Sequence, residues 1–272
     1  MVKVSVLIPV YNASAFLKNS VNSILNQTFT DFELLLLDDC SSDNSVEIIK
    51  GFKDSRIKYY QNEHNLGISE SRNRLMDLAQ GEYLVIMDND DMALPERFAK
   101  QVAFLDAHPD VTIVGSWGEL FNNMPAYGLY AQIKKLITNM GWVWRQPAEV
   151  TLKETLRACT SMHSSMMVRK SDLVRYNIHY NGEYTPAEDY DLIRQVLTNG
   201  LKICNLQEVL FKYHLYGGNF SVKKKKLMKI ADMRVKSDIR KYLDVTNYHR
   251  YPYWLIITRK LRLKWLLKWI KI

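Results

Sequence analysis

The sequence predicts an α/β protein built on a mostly parallel, doubly wound sheet with helices on both faces. Three observations predict it. Short apolar runs alternate with segments of helical periodicity over residues 1–115, the pattern of consecutive strand–helix units. The run Tyr83–Met87 is unbroken, as in a strand covered on both faces. Two of them end in carboxylates, at Asp38-Asp39 and at Asp88-Asn89-Asp90-Asp91, and open α/β sheets hold ligands at the carboxyl ends of their strands.

Each element has its own justification. Lys3 to Pro9 is β-branched and apolar, a first strand ended by Pro9-Val10-Tyr11-Asn12. Phe16, Leu17, Val21, Ile24 and Leu25 then recur at helical spacing, with Ser14 as the expected N-cap. Phe32 to Leu37 is a second strand. Ser41 to Ser45 is a cap-rich loop before a helix carrying Val46, Ile48, Ile49 and Phe52. Ile57 to Tyr60 is a third strand. Asn65-Leu66-Gly67 makes a turn, and a helix from Ser69 to Gln80 stops at Gly81. Tyr83 to Met87 is the fourth strand. Pro95 opens a helix to Ala107, as proline does in a first turn, and Val111 to Val114 is the fifth strand.

The second half is less regular. Gly115, Gly118, Gly128 and Gly141, with Trp117, Trp142 and Trp144 among them, suggest loops and short elements lining a site. The indoles suit either a sugar face or a core. Met166 to Arg169 reads as a short strand, Glu188 to Gly200 as a helix, and Leu201 to Cys204 and Val209 to Tyr213 as two late strands.

At 272 residues, with 47% hydrophobic and 24% charged, the chain is an ordinary globular one. Cys40, Cys159 and Cys204 are too scattered for a disulfide framework or a zinc site and suggest a reducing compartment. The N-terminus does not read as a signal peptide, and no window of eighteen uncharged apolar residues would span a membrane. A cytoplasmic place is expected. Charge is uneven: residues 223–272 hold sixteen Lys and Arg against three Asp, a net +13, which leaves −5 on residues 1–222. A basic end implies an anionic partner.

The acidic cluster after the fourth strand needs an explanation. Three like charges within four positions would cost several kcal/mol if buried unpaired. A divalent cation removes the conflict, and oxygen-only ligands suit Mg²⁺ or Mn²⁺. A solvated acidic turn is the competing reading.

Five blocks resemble a known family. They are Val6-Leu7-Ile8-Pro9-Val10-Tyr11-Asn12, Asp38-Asp39-Cys40-Ser41-Ser42-Asp43, Asn65-Leu66-Gly67 with Ser71-Arg72-Asn73, Met87-Asp88-Asn89-Asp90-Asp91, and Ala187-Glu188-Asp189-Tyr190-Asp191-Leu192. Over residues 2–220 the chain resembles the inverting glycosyltransferases of family 2, which have the GT-A fold. The resemblance implies a nucleotide-binding half at 1–115 and an acceptor-binding half at 116–220. It implies that Pro9 and Tyr11 flank a nucleobase, that Asp39 accepts from uracil, and that Arg72 reaches the nucleotide. It further implies that Asp90 touches a metal, with Asp88 on the metal or the nucleotide side. Asp189 would be the base that takes the acceptor proton, with Glu188 and Asp191 as rivals. His214 resembles a residue that can complete the metal site, although the Gly217-Gly218 beside it departs from the pattern. His163 is a candidate for the acceptor side.

The expected activity is transfer of a hexose from a UDP-sugar to a glycan or lipid-linked acceptor in surface polysaccharide or lipooligosaccharide synthesis. The rivals are a nucleotidyltransferase and a non-catalytic nucleotide-binding scaffold. No Walker or dinucleotide-binding fingerprint is present. Residues 221–272 form an expected basic helical tail. In Tyr251 to Ile272, Lys260, Lys264, Lys268 and Lys271 share one helical face while Leu261, Trp265, Leu266, Trp269 and Ile272 cover the rest. That pattern suits a membrane interface, so the protein is expected to be peripheral at an anionic membrane and not to bind nucleic acid. Arg259 and Arg262 fall off the stripe, and packing on the catalytic domain is the alternative.

Overall fold

A computed structural model describes residues 2–125, 127, 129–157, 159, 161–216 and 224–244. Its centre is a ten-stranded sheet. In chain order the elements are β1 (Val4–Val10), α1 (Leu17–Leu25), β2 (Phe32–Asp38), α2 (Ser45–Gly51), β3 (Ile57–Gln61), α3 (Ile68–Leu78) and β4 (Tyr83–Ile86). Then follow β5 (Met92–Ala93), α4 (Arg97–Ala107), β6 (Val111–Phe121), α5 (Leu129–Thr138), β7 (Val143–Trp144), β8 (Glu149–Val150) and α6 (Leu152–Thr155). The last are β9 (Met167–Arg169), α7 (Lys170–Arg175), α8 (Glu188–Thr198), β10 (Lys202–His214) and α9 (Lys225–Tyr242).

The strand order is β3-β2-β1-β4-β9-β6-β10-β5. β1 pairs in parallel with β2 on one side and β4 on the other. The chain thus winds outward through β2 and β3, then returns across β1 to β4. That reversal opens a crevice between the carboxyl ends of β1 and β4. β9 is inserted antiparallel between β4 and β6, which makes the sheet mixed.

Side chains alternate between the two faces, as strand geometry requires. Val4, Val6, Ile8 and Val10 pack with Leu17, Val21 and Ile24 of α1 and Phe98, Val102 and Leu105 of α4. Leu7, Leu35, Leu37, Leu84 and Ile86 face the other way, onto Leu75 of α3 and Leu192, Ile193 and Val196 of α8. Each fully buried aliphatic contributes about 1.5–3 kcal/mol relative to exposure.

Several expectations change. α1 begins at Leu17 without a side-chain cap. Ser14 does not cap it: the N-cap position is Phe16, and the Ser14 N–H donates to Asp43 Oδ2 at 2.9 Å. β6 runs unbroken to Phe121 through both glycines that suggested loops. The reason is crowding: a Cβ at Gly115 would overlap Asn205 Oδ1, and one at Gly118 would sit 2.5 Å from the Phe211 ring. The two late strands are one, β10, whose pairing with β6 shifts register around Leu206 and Val209. α9 packs Ala231, Val235 and Ile239 on Tyr190 and Ala187 at the start of α8, so residues 225–242 lie against the catalytic body. The expected membrane helix at Tyr251–Ile272 lies outside the described residues, as does Gly217-Gly218. Among the described residues, no helix is long and apolar enough to cross a membrane.

Candidate active site

The site grows from the end of β4. The strand stops at Ile86 and the chain turns, with the Asp91 N–H donating to the Asp88 carbonyl at 3.4 Å. Asp88 Oδ1 accepts from Arg72 Nη2 at 2.9 Å, and Oδ2 accepts from the Ser164 hydroxyl at 2.9 Å. Arg72 Nη1 donates to Glu188 Oε1 at 2.7 Å. One buried guanidinium therefore ties the end of β4 to the first residue of α8. Tyr180 lies over it, 5.3 Å from ring centroid to guanidinium. Burial opposes the charge on Arg72, but Asp88 and Glu188 outweigh it and hold its pKa above the usual range. Burial likewise works against ionised Asp88, yet Arg72 keeps that carboxyl below its ordinary value.

The three acids at the start of α8 separate by their partners. Glu188 is taken by Arg72. Asp191 is fully buried and accepts from Arg194 Nε at 2.7 Å and Gln195 Nε2 at 2.8 Å. Asp189 accepts only from the N–H of Tyr190, at 2.7 Å, and has no salt bridge among the described residues. Burial, then the charge of Glu188, pushes its pKa up to about 7.

Asp90 is half-buried, and burial with the neighbouring Asp88 raises its pKa to about 7. Asp91 is buried: Oδ1 accepts from the backbone N–H of His214 at 2.8 Å, while Oδ2 has no hydrogen-bond partner. Burial and the charges of Asp90 and Asp88 push its pKa well above the carboxylate range. Among the described residues, no three His, Cys, Asp or Glu side chains form a ready metal cage. Asp88 already accepts from Arg72 and Ser164, which fixes both its oxygens in place. His214 lies between Phe121 and Tyr216, 4.8 and 4.6 Å between ring centroids, with Phe16 edge-on at 5.1 Å. Burial lowers its pKa to about 4, and its place is in an aromatic cluster. A cation is still compatible with the site. Asp90 is accessible, Asp91 carries an unpartnered oxygen, and Mg²⁺ or Mn²⁺ commonly takes one or two carboxylates plus substrate phosphates.

The other side of the crevice is the end of β1. Tyr11 is 53% exposed and open for stacking. Pro9, expected beside it, is instead buried inside β1 and paired with Leu37. Odd-numbered residues of β1 bond toward β4, which ends before it reaches Pro9. The missing N–H therefore costs the sheet nothing, and the Pro9 carbonyl accepts from Asn89 Nδ2 at 3.0 Å. Asp39 holds the turn before α3. Its Oδ1 accepts from Asn62 Nδ2 at 2.7 Å and the Leu66 N–H at 2.8 Å, and Oδ2 from the Gly67 N–H at 2.9 Å. Gly67 sits at φ +82°, a conformation glycine adopts without strain. A carboxylate has about four acceptor sites, so Asp39 keeps one for a ligand.

His163 is buried, its Nε2 2.8 Å from the Tyr180 hydroxyl. Burial, then Arg72, brings its pKa down to about 3. It belongs to the wall behind Arg72. Three contributors escaped the sequence reading. Ser164 positions Asp88, Tyr180 covers Arg72, and Arg97 is fully buried near Asp91, with Nη2 donating to the Ile86 and Met166 carbonyls. Burial brings Arg97 down to about 9. Only Arg97 left a trace in the sequence, a lone arginine among the apolar positions of its helix.

A family model described as glycosyl transferase family 2 matches residues 5–175. The chain belongs to that family. An uncharacterized glycosyltransferase of Methanocaldococcus jannaschii, MJ1057, is 32% identical over 78% of this chain and 70% of its own length. The Escherichia coli enzyme WfaP, a UDP-Glc:α-D-GlcNAc-diphosphoundecaprenol β-1,3-glucosyltransferase, is 27% identical over 91% of this chain and 89% of its own. Among solved structures, S. aureus TarS with UDP-GlcNAc superposes with a TM-score of 0.67 at 20% identity, over 89% of this chain and 72% of TarS. The Pyrobaculum calidifontis mannosyltransferase PcManGT, with GDP-Man and Mn²⁺, gives 0.61 at 14% identity, over 99% and 81%. This glycosyltransferase thus has the GT-A fold that its five family-like sequence blocks implied.

Proposed function

We propose that this glycosyltransferase moves a hexose from a UDP-sugar to a lipid-linked glycan acceptor, with inversion at the anomeric carbon and Asp189 as the base. The observation that carries the reading is the sorting of the acids at α8. Arg72 occupies Glu188, Arg194 and Gln195 occupy Asp191, and Asp189 remains with its pKa raised to about 7. A base poised near the working pH is suited to proton transfer. The proton of the acceptor hydroxyl goes to Asp189, the oxygen attacks the anomeric carbon, and the bond to the diphosphate breaks on the opposite face.

Tyr11 stacks on the nucleobase and Asp39 uses its remaining acceptor site on the uracil ring. Residues 1–115 hold the nucleotide and residues 116–220 the acceptor. Arg72 fixes Asp88 rather than grasping the donor itself. Asp90 would hold Mn²⁺ or Mg²⁺, with Asp91 behind it, and the ion's chemistry is to offset charge on the departing diphosphate. WfaP acts on UDP-Glc and a diphosphoundecaprenol-linked acceptor, and TarS binds UDP-GlcNAc. These support the donor and acceptor classes, and a setting at the cytoplasmic face of a membrane follows from such an acceptor.

The test is UDP release with Mn²⁺ across a panel of UDP-hexoses. Turnover that needs one donor, and is lost in both Asp90→Ala and Asp189→Asn, is expected. Wild-type turnover in both variants overturns the site, and UDP binding without any turnover favours a scaffold.

A further inference from the structure

The excursion between β6 and β8 carries a feature that catalysis does not use. Tyr127 is 87% exposed, Leu129 75%, Leu136 67%, Met140 64%, Trp144 45% and Val143 39%. Six large apolar side chains thus stand in solvent within eighteen residues, in a region of the kind that marks an interaction surface. Leu129 and Leu136 are seven residues apart, so helical spacing puts them on one side of α5, and Met140 follows in the turn after the helix.

The segment is built, not loose. Asn139 Oδ1 accepts from the Asn122 N–H at 2.7 Å, and its Nδ2 donates to the Asn122 carbonyl at 3.0 Å. Lys135 Nζ donates to the Met124 carbonyl at 2.8 Å, and the Trp142 indole donates to the Ile137 carbonyl at 2.8 Å. β7 pairs with Gly118 and Glu119 of β6. The same strand ends in Phe121, which stacks on His214, whose backbone is held by Asp91. The apolar surface is therefore joined by one strand to the rim of the active site.

Charge selects the partner. Between Glu119 and Glu149 the sequence holds Lys134, Lys135 and Arg145 and no carboxylate. Glu119, the cross-strand partner of Val143, is offset by Lys212 at 3.6 Å, so exposed Trp, Tyr and Leu stand with an excess of cations, the chemistry of an element lying in a lipid headgroup layer. A partner protein with an acidic rim would answer the charge, but it would not explain why an aromatic and aliphatic surface this size stays open. We infer that α5 and β7 insert into an anionic lipid surface and present the mouth of the active site to it. The inference deepens the proposed function, since a lipid-linked acceptor must be met at such a surface.

The test uses the full chain with vesicles of phosphatidylglycerol and phosphatidylethanolamine, and with phosphatidylcholine alone. Hydrogen exchange of peptides covering 127–144 should slow with the anionic vesicles only. Leu136→Glu with Met140→Glu should weaken vesicle co-sedimentation by about tenfold or more, while UDP release from the donor in lipid-free buffer stays at the wild-type rate. That last measurement reports the proposed function separately, because it needs no vesicle. Unchanged exchange in 127–144, with protection confined to residues 245–272, overturns the inference. So does wild-type sedimentation of the double variant. A lipid-free oligomer that the double variant turns into monomers also overturns it, by making the patch a contact between copies.

Discussion

Arg72→Met is the most informative substitution in the molecule. It keeps the length and apolar bulk of the side chain and removes one charge that serves two acids. The pairs are short, 2.9 Å to Asp88 and 2.7 Å to Glu188, and the Arg72 and Glu188 side chains are 8% and 9% exposed. Asp88 is 34% exposed, so water screens its share. Glu188 Oε2 already lacks a hydrogen-bond partner, so nothing nearby would replace the guanidinium. Breaking a buried pair by removing one partner costs about 3–5 kcal/mol, a large part of a typical stability of about 5–15 kcal/mol.

The pH dependence follows from the sign. In the native protein Asp88 has a lowered pKa, so its pairing stabilises above the unfolded-state value and is lost as pH falls. Without Arg72 the largest contribution opposing burial is lost and the Ser164 hydrogen bond is left against it, so the Asp88 pKa moves up. The variant then disfavours ionised Asp88, and its defect grows as pH rises from 5 to 8. Urea denaturation at both pH values measures this. Arg72→Lys should fall between, since an ammonium keeps the charge but not the fork that reaches both acids. A loss under about 1 kcal/mol that is equal at pH 5 and pH 8 would show that Arg72 is not the clamp described here.

Other outcomes test the rest of the site. Asp189→Asn should lower kcat by about 10²–10⁴-fold, and in the native enzyme kcat/KM should fall as pH drops below about 7, because the base must be deprotonated and its pKa lies there. A flat profile from pH 6 to pH 8 would remove Asp189 from that role. Chelation with EDTA should abolish UDP release and added Mn²⁺ restore it, whereas in Asp90→Ala added Mn²⁺ should not. Gly115→Ala forces a methyl group against Asn205 and Ser161, and thermal denaturation should show a loss of about 1–3 kcal/mol. Asp39→Ala releases the Leu66 and Gly67 amides, so calorimetry should show weaker UDP binding and exchange should quicken across residues 62–67.

The first half of this fold was readable because its code is local. β4 is a continuous apolar run and β1 and β2 are nearly so, broken by Ser5 and Glu33, and each helix between them shows its periodicity. β6 was cut short on paper because Gly115 and Gly118 read as breakers. Their reason is non-local, the close approach of Asn205 and Phe211 from β10, and no window around residue 115 contains those neighbours. Ser14 misled in the same way: a cap-forming residue stood where a cap was wanted, but the helix starts three residues later and Ser14 bonds to Asp43 in the next loop. Among the site residues, Arg72, Asp88, Asp90, Glu188 and Asp189 come from motifs visible in the sequence, and the contacts that join them do not. Arg72 was expected to face the nucleotide. Its partner is 116 residues away at Glu188, and sequence spacing carries no information about a contact of that kind. Tyr180 and Ser164 were invisible for the same reason.

The balance of charge explains why the site is arranged around one arginine. Asp88, Asp90, Asp91, Glu188 and Asp189 come together at the ends of β4 and α8, and Arg72 directly pairs with only two of them. Arg97 sits buried near Asp91, engaged with backbone carbonyls and the Gln101 side chain instead of a carboxylate. A nucleoside diphosphate brings further negative charge, and a protein surface of one sign opposes a ligand of the same sign. These acids alone do not attract the donor. Among the described residues Arg72 is spoken for, and under the proposed function the cation at Asp90 would supply the opposing charge. Asp90, half-buried and raised to about 7 by burial and Asp88, becomes more favourably ionised when a cation arrives. On the proposed reading cation and donor would assist each other's binding, so UDP affinity should rise with Mn²⁺ concentration in the native protein while Asp90→Ala leaves it nearly independent of the metal.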